Sequence, residues 1–252
     1  MTVAVGILNL LLGMAYTGYG VLTLIDMRRG WPRDGFSHFG AAWVAMAFTC
    51  GPHHLFHGIH VLLEGRQAAA LDLVAVLVGL PFGVTWLLHR IEAVRGGRGD
   101  RFITGTPGWM YAAPTLAGAY GTALIAGALA AGPVRIGVPS MMVPNLLLVG
   151  LYFTIGYFLL RTQLRNRARV GGWSVSGCSL AVVFPTCALM HAVWVLYAAT
   201  GLYHFDIHGF VIDWLAVPAA VYFLWVVRSL YQGVLTDWNR TMGSDVPQGV
   251  EA

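Results

Sequence analysis

The chain of 252 residues is 57% hydrophobic and only 10% charged, against roughly 25% charged in soluble domains, and its mean hydropathy is +0.67. That balance excludes a disordered chain, a coiled coil, a disulfide scaffold and a nucleic-acid binder. The formal net charge is +4 and all 15 basic residues are Arg, so chemistry that needs a lysine Schiff base is also excluded.

Crossing a hydrocarbon layer of ~30 Å takes about 20 apolar residues in a helix that satisfies its own backbone. Seven such runs follow one another, at about 3–25, 38–63, 68–89, 109–131, 139–160, 174–200 and 208–231. Short alternating segments would instead indicate a β-barrel. The runs are separated by polar, Gly/Pro-rich or Arg-rich breaks at 26–35, 90–107 and 161–172. The expected fold is an all-α integral membrane protein, a single seven-helix bundle over 1–235, with a disordered cytoplasmic tail at 236–252. The first run is not expected to be a cleaved leader, because its arginines (Arg28, Arg29, Arg33) follow the apolar stretch.

With the loops after runs 1, 3 and 5 and the tail on one side, that side carries thirteen arginines and the other only Arg66 and Arg135. Arginine excess marks the cytoplasmic side. The N-terminus is therefore expected outside and the C-terminus inside, in a multi-pass plasma membrane protein of bacterial type. Pro52, Pro81, Pro185 and Pro218 fall inside runs and are expected to bend helices. Gly118, Gly121, Gly127 and Ala131 in the fourth run are expected to let that helix pack closely inside the bundle, with an oligomer face as the alternative.

Ionisable groups inside a span are costly and mark function by default. Run 2 reads Thr49-Cys50-Gly51-Pro52-His53-His54-Leu55-Phe56-His57-Gly58-Ile59-His60 and ends at Glu64. His53, His57, His60 and Glu64 are spaced i, i+4, i+7, i+11, one stripe of a helix. His54 points about 100° away. Asp72 opens run 3, His191 lies in run 6, and His204 and His208 open run 7 at a two-ligand spacing. The topology puts seven of the nine histidines in the outer half; His38 and His89 are the exceptions. So many imidazoles at one depth point to a transition metal, with Asp72, Asp206 and Asp213 as carboxylates that could hold ring nitrogens in place. Cys50 is expected to be a small packing residue. Aromatics at the outer ends (Tyr197, Tyr203, Phe205, Phe210, Trp214) read as an interfacial belt.

The order of a span-2 histidine in Leu55-Phe56-His57, an aspartate in Leu71-Asp72 and His204-x-x-x-His208 opening the last span resembles the CREST superfamily, which includes the alkaline ceramidases and the progestin/adiponectin receptors. The resemblance implies Zn²⁺ held by His57, His204 and His208, with Asp72 acting on a metal-bound water. It implies hydrolysis of a membrane lipid amide or ester, for which a cavity between helices in the outer leaflet is expected to admit the acyl chains. The family's serine four residues before the first histidine is replaced here by His53, which could serve the oxyanion or the metal. His53, His54, His60 and His191 are further candidate ligands outside that pattern. They keep open a redox centre (Fe, Cu or haem) and, third, a metal or proton transporter.

Overall fold

The computed structural model describes residues 1–64, 70–130, 140–201 and 207–238. Within them the chain forms seven long helices: α1 (Thr2–Asp34), α2 (His38–Leu63), α3 (Ala70–Val94), α4 (Ala113–Ala130), α5 (Val143–Val170), α6 (Val175–Thr200) and α7 (Ile207–Gln232). Six of them are long and apolar enough to cross a membrane. The seventh, α2, has 26 residues but falls short in hydropathy because of its histidines. Its polar face is covered by α1 and α7, so its neighbours supply the apolar surroundings that its own composition lacks.

Two of the expected breaks are helical. α1 continues to Asp34 and α5 to Val170, well beyond their apolar runs. Loss of hydropathy ends the lipid-facing part of a helix, not its hydrogen bonding, and arginine is a good helix former. α5 stops only where Gly171 takes a left-handed conformation, φ 68°, which suits glycine. The chain is also not wholly helical. Strand β1 (Phe102–Thr104) pairs antiparallel with β2 (Gly172–Ser174), in a register that sets Ile103 opposite Trp173.

The closest helix contact is between α1 and α2, and its cause is glycine. A side chain on Gly13 would lie 2.8 Å from the Gly51 carbonyl oxygen, and one on Gly58 would lie 2.8 Å from that of Gly6. Glycines seven apart on both helices let the backbones meet, as small residues do in membranes. In the fourth run the residues differ: Gly118 faces open space, while Gly121 stands against Leu189 of α6 at 3.6 Å, ordinary contact. α4 sits at the rim against α6 and α3, mostly exposed. Ala131 lies outside the described residues.

Among the described residues every arginine lies at one end of the bundle, and cross-links tie that end together. Arg29 donates to the Val94 carbonyl and Arg165 to that of Tyr231. Buried Arg90 pairs with Asp26 at 2.9 Å. Two helix N-termini here use the same device. The Ser37 hydroxyl caps Gly40 N–H while Asp237, from beyond α7, accepts from Ser37 and from Phe39 N–H. Ser174 caps Gly177 N–H while Asp100, from the loop after α3, accepts from Ser174 and Ser176 N–H. In both, a carboxylate remote in sequence meets the positive end of a helix dipole. The tail is therefore held at its start: Asp237 caps α2, and Trp238 donates to the Gly35 carbonyl and lies against Gly30. Residues 239–252 lie outside the described residues.

Gly51→Ala should destabilise the bundle by about 1–3 kcal/mol, the usual cost of overpacking, because its methyl would collide with Thr17 Oγ1. Gly118→Ala should be neutral within about 0.5 kcal/mol. Thermal unfolding of both variants in detergent measures the difference.

Candidate polar centre in the bundle

The stripe on α2 faces α6 and α7, and His54 faces α1, as helical spacing requires. His53 lies flat on Trp194, with ring centres 4.6 Å apart and planes 4° apart. Its Nδ1 is 3.1 Å from Asp213 Oδ1. His57 stands tilted to the same indole, with ring centres 6.2 Å apart. His60 meets His208 of α7 at 5.7 Å between ring centres, and His208 stacks on Phe56. Glu64 lies 3.7 Å from His60 Nε2. The half of the bundle away from the arginines thus holds two tiers along α2: His53, His54, His191 and Asp213 deeper, and His57, His60 and His208 nearer the end.

The deeper tier is a hydrogen-bonded chain. Asn145 of α5 donates from Nδ2 to Asp213 Oδ2 at 2.6 Å and accepts on Oδ1 from His191 Nδ1 at 2.6 Å. Asn9 of α1 donates to the Val5 carbonyl at 2.9 Å and faces His54 Nδ1 with its oxygen at 2.8 Å. A backbone carbonyl can only accept, so the Asn9 amide must point that way, and His54 must carry its proton on Nδ1. His191, by the same reasoning from the Asp213 carboxylate, also carries its proton on Nδ1. Although Asp213 is 95% buried, its Oδ1 has no hydrogen bond, with His53 Nδ1 3.1 Å away.

These groups line a cavity of about 20 Å³, room for about one water. Cys50, Cys187, Met190 and Tyr152 complete the wall. The Cys50 thiol is 3.5 Å from the Tyr152 hydroxyl, so it borders the polar centre instead of filling apolar space alone. Below lies an aromatic plug of Trp43, Phe184 and Phe223, with ring centres 5.1–6.0 Å apart. This plug separates the centre from the arginine end. His38 and His89 sit beyond it, hydrogen-bonded to Tyr222 and Ser176, and take no part in the centre.

Of the sequence-predicted residues, the fold brings His53, His54 and His191 together and, separately, His60 and His208. His57 and Asp72 lie at the same end of the bundle. His204 and Asp206 lie outside the described residues, as do Tyr203 and Phe205 of the aromatic set. Tyr197, expected at an interface, is buried in α6. Among the described residues no three His, Cys, Asp or Glu side chains stand together as a metal site. Asn9, Asn145 and Trp194 were not foreseen. A lone asparagine in an apolar run is as conspicuous as a histidine there, and it was the available signal for the first two.

Asn145→Leu should be the more damaging of the two amide deletions, because it strands both a carboxylate oxygen and an imidazole N–H at about 1–3 kcal/mol each. Asn9→Leu strands a single ring nitrogen, which can move its proton. Melting temperatures of the two variants in the same detergent test that order.

No family model matches this chain, and no curated protein and no solved structure was found to resemble it.

Proposed function

We propose that this protein is an integral membrane hydrolase acting on a lipid amide or ester with a histidine-held metal ion, its N-terminus outside and its C-terminus cytoplasmic. The observation that carries the reading is the meeting of the first turn of α7 with the last turns of α2, which puts His208 5.7 Å from His60, at the bundle end that α3 enters with Asp72. Those are the three segments on which the resemblance to the CREST superfamily rests. The one-ended arginines support the orientation.

In this reading His57, His204 and His208 would hold the ion. His57 and His208 offer the imidazole chemistry that suits zinc, and His204 is the ligand outside the described residues. Bound zinc would supply a water acidified toward pKa ~7 and a Lewis acid. The chain's own groups do the rest. Asp72, on the first turn of α3, is the proton acceptor. His53, whose Nδ1 lies 3.1 Å from Asp213 Oδ1, can donate to an oxyanion from Nε2 when that nitrogen carries the proton. In place of the outer-leaflet cavity expected from the sequence, the cavity among the deeper imidazoles has about 20 Å³, too small for an acyl chain. The substrate would therefore lie on the lipid-facing surface of α2 and α7, where Phe56, Ile59, Val211 and Trp214 are exposed. The room between the deeper imidazoles suits an ion rather than a haem plane, which places the redox reading second.

Elemental analysis with an absorption spectrum of the purified full chain tests the proposal. One zinc per chain and no visible colour is the expected result; a Soret band would sink it. His57→Ala and His208→Ala should each lose the ion. Asp72→Asn should keep it and lose turnover by about 10²–10⁴-fold, measured on a panel of fluorogenic lipid amides and esters; unchanged turnover would remove Asp72 from its role.

A further inference from the structure

The described carboxylates of the arginine end are all engaged away from the seam between α5 and α7. Asp26 pairs with Arg90, Asp34 with Arg33 and Glu92 with Arg101, while Asp100 and Asp237 cap α6 and α2. The seam itself is strongly basic. Arg161, Arg165 and Arg169 lie four residues apart on α5, one stripe of the helix, and Arg228 lies three residues before Tyr231 on α7. All four arginines are exposed, and among the described residues none of them has a carboxylate within ion-pair distance.

Tyr231 gathers two of these charges. Arg161 donates from Nη2 to the Tyr231 hydroxyl at 3.3 Å, and Arg165 donates from Nη1 to the Tyr231 carbonyl at 2.7 Å. The Arg165 guanidinium also lies 5.7 Å from the centre of the Tyr231 ring. Capping the last turn of α7 accounts for Arg165. It does not account for Arg161, which donates only to a hydroxyl. Two like charges tied to one tyrosine repel each other, and an anion between them relieves the repulsion. Each guanidinium has five N–H donors in a planar fork, and these contacts use one from each. The remaining donors suit phosphate, which arginine meets with paired N–H bonds.

The same stripe says what carries the phosphate. One and two turns before Arg161, toward the middle of the membrane, stand Tyr157 and Phe153, both exposed, with exposed Leu160 beside them. Apolar side chains that face lipid thus lead directly into arginines at the end of the span. A free anion has no use for that continuity. A phospholipid fits it, with acyl chains against Phe153 and Tyr157 and the headgroup against the arginines. Basic pockets between spans bind anionic headgroups in this way. We propose that the seam between the ends of α5 and α7 is a binding site for one anionic phospholipid, its phosphate held by Arg161 and Arg165 and its charge met by Arg228. The site lies at the opposite end from the histidines and uses none of the residues assigned to hydrolysis.

Native mass spectrometry of the full chain, released from nanodiscs that hold equal amounts of phosphatidylglycerol and phosphatidylcholine, tests the site. Ether-linked acyl chains keep any ester hydrolysis out of the result, so the outcome is independent of the hydrolase reading. The expected result is one retained phosphatidylglycerol per chain, enriched over phosphatidylcholine. Arg161→Gln combined with Arg165→Gln should lower that enrichment by about fivefold or more. Arg95→Gln combined with Arg98→Gln removes the same charge from the exposed loop after α3 and should leave the enrichment unchanged. Should the α5 double variant fail to fold, Arg161→Gln alone still reports, since Arg161 is exposed and caps no helix. Equal losses in the two double variants would mean diffuse attraction to the basic end and would overturn the proposal. So would an absence of preference for phosphatidylglycerol, or its displacement by millimolar inorganic phosphate, which would assign the arginines to a soluble anion.

Discussion

The hydrogen-bonded run Asp213–Asn145–His191 is the interaction on which the organisation of this bundle turns. In hydrocarbon a polar side chain has no water to fall back on, so each one must meet a partner on another helix. Asp213 on α7, Asn145 on α5 and His191 on α6 meet only if those three helices stand in one relative register, and His53 brings α2 to the same point. Asn9 does the same for α1 through His54. Apolar packing can slide by a turn at modest cost. A chain of buried hydrogen bonds cannot, because every slipped register strands several groups at once.

Around that centre the two ends of the bundle divide the work. The arginine end is stitched by ionic and capping contacts: Arg90 with Asp26, and Asp100 and Asp237 each on a helix N-terminus. These contacts have structural roles. The opposite half holds Asp213 Oδ1 without a hydrogen bond, beside a space for one small guest. The plug of Trp43, Phe184 and Phe223 keeps the two regimes apart.

The legibility of the site followed the kind of information each residue carries. The α2 stripe was readable because helical spacing is local: His53, His57 and His60 had to share a face, and His54 had to leave it. Depth was readable too, since the arginine bias orders the spans. Partner choice was not. Nothing in the spacing of Asp213 tells that Asn145, 68 residues earlier, lies against it, and a conspicuous HxxxH pattern drew attention to His204 and His208 instead. The fourth run was legible only in part: Gly121 stands against Leu189 but Gly118 faces open space, and the backbones meet instead at Gly13, Gly51 and Gly58.

Composition and periodicity by themselves determined seven helices, an arginine-poor half and a histidine-bearing face, because hydropathy, charge bias and helical spacing act within a segment or by side of the membrane. The tertiary structure alone decided which nitrogen of each ring is taken, which carboxylate oxygen is left over and how much room remains between them. Those depend on the separation and rotation of helices far apart in the chain, and a buried group's chemistry is set by whatever stands within about 3 Å of it, which no local pattern records.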